Sequence, residues 1–231
     1  MIQENRENGK QQHMRGTLKR LIDLVIAIPM LIITSPLFGF IALAIKLDDG
    51  GTVSFRQERI GQIGRVFRVW KFRTMIVDAT KQGLGNTVAV DDERITRVGK
   101  LLRNFGLDEL PQLLNVLLGN MSLVGPRPTL AYQVEHYNDF QRRRLEAKPG
   151  ITSLAVVSGR NSLSWVERIK LDVWYVDHQS FGLDLKILFR TVWCVLVTRE
   201  GLYGEDGVND MFVPASEIVQ SPGEGENSDE F

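Results

Sequence analysis

Apolar positions are unevenly spread along this chain: residues 21–45 form an almost unbroken hydrophobic run, whereas the remainder alternates short apolar stretches with charged ones. Only Asp23 and the adjacent Thr34 and Ser35 interrupt the run. As a straight helix it reaches roughly 37 Å, enough to cross a hydrocarbon core of ~30 Å, so a single-pass anchor is one reading. The other is a bent helix that enters and leaves the same leaflet. Pro29 and Pro36 lie inside the run, seven residues apart and so on nearly the same helical face, and each removes an internal hydrogen bond. Arg15, Lys19 and Arg20 precede the run while Lys46, Arg56 and Arg59 follow it, so the positive-inside tendency draws both flanks to the cytoplasmic side. Ser35 is placed to hydrogen-bond a carbonyl that Pro36 frees. These features favour a re-entrant membrane segment over residues 18–47. A secretory signal is disfavoured, because the run is long and no Ala-x-Ala-like site follows a short apolar core.

After Asp48-Asp49-Gly50-Gly51, a turn by composition, the pattern predicts strands over 52–60 and 65–74 joined by Gly61-Gln62-Ile63-Gly64. A period of two places Phe67, Val69, Lys71 and Arg73 on one face of the second strand, so its two cations neighbour each other. They form either a solvated face or, beside an acidic site, ligands for diphosphate. Residues 95–105 read as a short basic helix.

Leu107-Asp108-Glu109-Leu110-Pro111-Gln112-Leu113-Leu114-Asn115 then sets two carboxylates at the start of an apolar helix. Pro111 has no N–H to donate and fits only the first helical turn, which predicts a helix start within a residue or two of Asp108. Both acids would sit in the positive end of the helix dipole, a field that favours ionised carboxylates and attracts phosphate. Ordinary helix capping explains the same pattern. Downstream, Gly125-Pro126-Arg127-Pro128 is a rigid turn whose rings present Arg127 with little ordering cost, and guanidinium matches phosphate oxygens bidentately. Residues 185–196 read equally as a core helix or as an interfacial helix with Trp193 at headgroup depth.

Composition narrows the classes. The chain has 231 residues, 43% hydrophobic and 24% charged, enough for one sizeable core. Its 28 basic and 28 acidic residues balance, and a uniform basic surface for nucleic acid is not indicated. Cys194 is the sole cysteine, which excludes an intrachain disulfide and a cysteine zinc cluster. His13, His136 and His178 are too scattered to suggest a metal site. Residues 1–17 and the acidic stretch 213–231 read as mobile tails.

Taken in order, Trp70-Lys71-Phe72-Arg73-Thr74-Met75, the acidic stretch, Met121-Ser122-Leu123-Val124-Gly125-Pro126-Arg127-Pro128, Lys148-Pro149-Gly150-Ile151-Thr152 and Ser158-Gly159-Arg160-Asn161 resemble the bacterial sugar transferase family, the monotopic polyprenol-phosphate phosphoglycosyl transferases. The resemblance runs from about Leu18 to about Phe212. It implies an α+β fold, mainly helical with a small β-hairpin, an N-terminal re-entrant membrane helix carrying the Ser35-Pro36 break, interfacial amphipathic helices, and a cytoplasmic catalytic domain over 48–212. It implies transfer of a sugar-1-phosphate from a nucleoside-diphosphate sugar, a UDP-sugar in the first instance, to a polyprenol phosphate such as undecaprenyl phosphate. UMP would be released at the cytoplasmic face of a bacterial inner membrane, beginning the assembly of a surface glycan.

In that scheme Asp108 attacks phosphorus, Glu109 with Asp108 holds Mg²⁺, and Lys71, Arg73, Arg103 and Arg127, the last held between the rings of Pro126 and Pro128, stabilise phosphoryl charge. Arg160 and Asp172 match further polar positions of the family, with salt-bridge roles as close competitors. Membrane lipids are implied partners, and a homodimer stays open. Two departures stand out: Thr152-Ser153-Leu154-Ala155-Val156 replaces the common Thr-Gly-Trp-Ala-Gln, and Gly106 replaces a frequent Ser, which weakens a helix cap. A non-catalytic membrane module that binds nucleotide sugar or lipid phosphate, and direct transfer without a covalent intermediate, are the alternatives.

Overall fold

A computed structural model describes residues 2–79, 92–159 and 162–195. Helix α1 (Ile2–Asp49) contains the whole apolar run and also the residues before it that were expected to form a tail. Strands β1 (Ser54–Ile60) and β2 (Val66–Phe72) form the expected antiparallel hairpin, in register from Ser54 opposite Phe72 to Ile60 opposite Val66. Its tip is a 3-10 turn over Gln62–Gly64 in which Ile63 and Gly64 both adopt positive φ, 56° and 73°. Glycine takes that conformation freely; the β-branched isoleucine is strained there.

Helix α2 (Arg97–Asn104) starts on Thr96, whose hydroxyl accepts from the N–H of Gly99 at 3.0 Å. A Cβ on Gly99 would lie 2.0 Å from the carbonyl oxygen of Thr74, so only glycine lets α2 pack this closely on the segment leaving the hairpin. Helix α3 (Gln112–Leu117) begins later than Pro111 had suggested. Leu107–Glu109 form a separate 3-10 turn, and Pro111 caps α3 rather than opening its first turn. The reason lies at Gly106: its left-handed backbone, φ 65°, ends α2 and starts the tighter i→i+3 pattern.

Strand β3 (Ser122–Val124) pairs in parallel with β4 (Gly150–Thr152), a second sheet that the alternation of residues did not reveal. Between them lie short helices α4 (Ala131–Glu135) and α5 (Asp139–Arg142), followed by a 3-10 turn over Arg143–Glu146. The last described elements are α6 (Leu154–Val157), α7 (Trp165–His178) and α8 (Phe181–Trp193). Ser164 and Glu167 form a reciprocal capping box on α7.

Helix α1 is fastened to this domain at both ends of its apolar run. At one end Lys19 pairs with Asp184 of α8 at 2.6 Å, and Arg20 donates to the carbonyls of Val116 and Leu117 at the end of α3. Asp23, the lone acid of the run, accepts from Ser122 Oγ and from the N–H of Leu123, each at 3.0 Å. At the other end Asp48 accepts from the N–H of Val98 at 3.0 Å and Asp49 pairs with Arg73. Ala27 enters the main core with Leu113, Val116 and Val124, whereas Ile41 and Ile45 join a second cluster with Phe72 and Leu102. Between the two attachments Ile32, Ile33 and Phe40 are exposed. Ser35 Oγ donates to the carbonyl of Ile32 at 2.8 Å, the acceptor that Pro36, lacking an N–H, leaves free. Helix α8 is two-sided: Ile187 is buried while Phe189, Val192 and Trp193 face outward.

Candidate active site

The site forms where β2, the Leu107–Glu109 turn and the Gly125–Pro128 loop converge. Lys71 is delivered by β2, whose outer edge is clasped by a side chain: Asn115 Oδ1 accepts from the N–H of Trp70 at 3.0 Å and its amide donates to the carbonyl of Arg68 at 2.7 Å. Asn115 thereby acts as one residue of an additional strand and fixes β2 against α3. Nothing in an apolar helix marked it beforehand except that it is a buried amide, which requires such partners.

Glu109 is gripped from two sides. Lys71 Nζ lies 2.9 Å from its Oε1, while the Arg127 guanidinium contacts Oε1 with one nitrogen and lies 3.3 Å from Oε2 with the other. Among the described residues Asp108 accepts no hydrogen bond, although Lys71, Arg103 and Arg127 all act on it electrostatically. Arg103 donates from Nε to Thr74 Oγ1 at 2.9 Å, which orients its side chain beside the acidic turn.

This arrangement splits the two carboxylates, contrary to the expectation that a helix dipole would favour ionisation of both. Burial pushes Asp108 up; Lys71 opposes that shift and the negative charge of Glu109 adds to it. Burial also works against ionised Glu109, yet Arg127 and Lys71 outweigh it and hold this carboxyl far below the usual range. Glu109 is thus the more readily ionised of the two acids, and Asp108 is its less stabilised, more basic neighbour.

The remaining predicted residues divide. Pro126 and Pro128 do flank Arg127, and the carbonyl of Pro126 accepts from the N–H of Gly150 at 2.9 Å, tying the loop to β4. Arg73 does not join Lys71. Strand β2 ends at Phe72, the period of two ends with it, and Arg73 turns to Asp49 and to the carbonyl of Thr52 at 2.6 Å. It braces the end of α1; among the described residues its buried Nη1 has no hydrogen-bond partner. Asp172 lies behind the site, its carboxylate 2.5 Å from Arg144, with both side chains only 3% exposed. No face of Asp172 is open to a substrate. Helical spacing gives a signal for this: Asp172 follows Ile169 by three residues and precedes Tyr175 by three, on the buried stripe of α7. Arg144, one of three consecutive arginines, carried no such signal. Arg160 lies outside the described residues.

Among the described residues no three His, Cys, Asp or Glu side chains gather into a metal cage. Both oxygens of Glu109 are engaged by Lys71 and Arg127, so an ion at the acidic pair would have to displace one of them and take its other ligands from phosphate and water.

Residues 14–198 match the bacterial sugar transferase profile. The chain is 49% identical over 182 residues to the uncharacterized sugar transferase EpsL of Bacillus subtilis, covering 79% of this chain and 89% of that protein. It is 38% identical over 207 residues to the exopolysaccharide production protein ExoY of Rhizobium meliloti, covering 84% of this chain and 92% of the relative. Undecaprenyl-phosphate galactose phosphotransferase of Salmonella typhimurium is 41% identical over 211 residues, 85% of this chain and 44% of that longer protein.

Proposed function

Because this chain belongs to the bacterial sugar transferase family, we propose that it is a polyprenol-phosphate sugar-1-phosphate transferase that uses a nucleoside-diphosphate sugar, with UDP-sugar and undecaprenyl phosphate as the expected pair. The observation that carries this reading is the asymmetric acidic pair: Glu109 bound by Lys71 and Arg127, beside an Asp108 that accepts no hydrogen bond among the described residues. An oxygen of Asp108 attacks the phosphorus that bears the sugar, the bond from that phosphorus to the nucleotide oxygen breaks, and UMP leaves. A phosphate oxygen of the lipid then attacks the same phosphorus, displacing Asp108 and regenerating the carboxylate. Lys71, Arg103 and Arg127 stabilise the charge spread over the transferring group, the main task of a protein in phosphoryl transfer. Mg²⁺ bound by Glu109 and Asp108 would neutralise the diphosphate. Glu109 must then release at least one of its two cations.

The membrane reading rests on where α1 is fastened. Lys19, Arg20 and Asp23 at one end of the apolar run and Asp48 and Asp49 at the other all bind one domain. A spanning helix would carry those ends to opposite faces of a core ~30 Å thick. A re-entrant α1, with Ile32 to Phe40 in the leaflet, keeps both on the side of the domain, and the outward face of α8 with Trp193 lies in the interface. The side is the cytoplasmic face of the inner membrane, where the product starts a surface glycan.

Intact mass spectrometry after exposure to a panel of nucleotide sugars without lipid tests the chemistry. A sugar-phosphate adduct on Asp108 is expected, and its mass identifies the sugar. Lipid-dependent turnover with no adduct and no exchange of labelled UMP into donor would reject the covalent route. No turnover with any donor would reject the enzyme. For topology, single cysteines at residues 5 and 225 in a Cys194→Ser background should both resist an impermeant label applied to intact cells; labelling of one alone would establish a span.

A further inference from the structure

The buried pair behind the Gly125–Pro128 loop is costly and the transfer chemistry does not use it. Desolvating two charges offsets much of their attraction, so a pair as deeply buried as Arg144 and Asp172 is weak evidence for stability and calls for another reason. Its hydrogen bonds supply one. Arg144 Nη2 donates both to Asp172 Oδ2, at 2.5 Å, and to the backbone carbonyl of Arg127, at 3.1 Å. Nη1 donates to Tyr137 OH at 2.7 Å, and that hydroxyl lies 3.0 Å from Thr129 Oγ1, which in turn donates to Gln133 Oε1 at 2.6 Å. The guanidinium is further confined by Tyr137 and Trp165, whose ring centres lie 5.8 and 5.4 Å from it.

We propose that Arg144 and Asp172 are positioning residues for the transfer, holding the backbone of Arg127 so that its guanidinium is aimed at the acidic turn. This rests on the reading of Arg127 as a phosphoryl ligand. Pro126 and Pro128 restrict φ on either side of Arg127, so the loop moves largely as a unit and its direction is set by what holds its carbonyls. Among the described residues the contacts that do so include the N–H of Gly150 on Pro126, Arg59 on Pro128 at 3.5 Å, and Arg144 on Arg127. Of these the third is both charge-assisted and close, and Asp172 orients it. A misdirection on the order of 1 Å at a charge-stabilising group slows transfer without removing the group.

The test is a double-mutant cycle in the full chain, in lipid nanodiscs, with the donor found above. Asp172→Asn should lower kcat about tenfold with the acceptor KM within about twofold, and in an Arg127→Ala background the same change should lower kcat less than about twofold. Arg144→Lys, which keeps the charge but loses the two-pronged donor, should behave like Asp172→Asn. Tyr137→Phe removes a single hydroxyl; about a threefold loss in kcat, again absent in the Arg127→Ala background, keeps the test open should the charge variants fold poorly. Equal losses with and without Arg127 would overturn the proposal, as would a raised donor KM at unchanged kcat, which would make Asp172 a substrate ligand. If Arg127→Ala itself left turnover unchanged, the reading of Arg127, not the coupling, would have failed.

Discussion

Two of the arginine–carboxylate pairs in this protein, Arg127 with Glu109 and Arg144 with Asp172, meet at one loop from opposite sides. Glu109 meets Arg127 in front, where the arginine side chain is 46% exposed; Asp172 meets Arg144 behind, where both side chains are 3% exposed. An exposed cation can exchange its carboxylate for an arriving phosphate, because water and the new anion compensate as the old contact opens. A buried cation has no such exchange, since parting from its carboxylate would strand two charges in an apolar interior. The front pair is therefore suited to chemistry and the rear pair to holding a shape. An arginine and a carboxylate meet at both ends, and burial is what sets the two pairs apart.

The comparison is tested most severely at the proposed nucleophile. Asp108→Asn should abolish UMP exchange and lipid-dependent transfer, a loss of at least about 10³-fold in kcat, while thermal unfolding shows a folded protein. Retained exchange would take Asp108 out of the front site. Next, the two arginines should fail in opposite ways. Arg144→Leu leaves Asp172 buried and unpaired and should cost about 3–5 kcal/mol of stability, readable by denaturant unfolding; replacing Asp172 with Leu as well should restore much of that stability but not turnover. Arg127→Ala should slow transfer about 100-fold while changing stability by less than about 1 kcal/mol.

A smaller effect concerns binding. Glu109→Gln removes the charge that occupies Lys71 and Arg127, so without metal the variant should bind inorganic pyrophosphate about fivefold tighter by calorimetry, although its turnover is lost. Weaker binding would show that Glu109 helps assemble the anion site instead of competing for it.

The smallest shift is in the pH dependence of stability, where the two front acids carry opposite signs. Glu109 is held low by its cations, so its contribution is present above the unfolded carboxylate value of about 4.3 and is lost as pH falls through its folded pKa. Asp108 is pushed up by burial, so ionising it weakens the fold as pH rises from the unfolded value through the folded one. At neutral pH, Glu109→Gln should lower Tm by a few degrees and Asp108→Asn should raise it slightly.

Much of this was legible along the chain because it is periodic or local. Alternation marked the hairpin of β1 and β2, the length of the apolar run marked α1, and adjacency alone placed Asp108 beside Glu109 and Arg127 between two prolines. Even the hydrogen bond from Ser35 to the carbonyl of Ile32 followed from the position of Pro36. Local rules failed where a break in the backbone intervened: the end of β2 at Phe72 parted Arg73 from Lys71, and the left-handed Gly106 moved the acids out of α3 into their own turn.

Tertiary structure decided the rest, and the reason is distance along the chain. Asp49 finds Arg73 across 24 residues, Arg144 finds Asp172 across 28, Asn115 finds Trp70 across 45 and Asp23 finds Ser122 across 99. Each of those polar groups is costly to bury alone, and which partner satisfies it depends on which segments the core brings together. The sequence by itself determined which residue types the site would contain. Folding determined which of them converge on the acidic turn and which are buried behind it, because burial, not residue type, sets whether an ion pair can open.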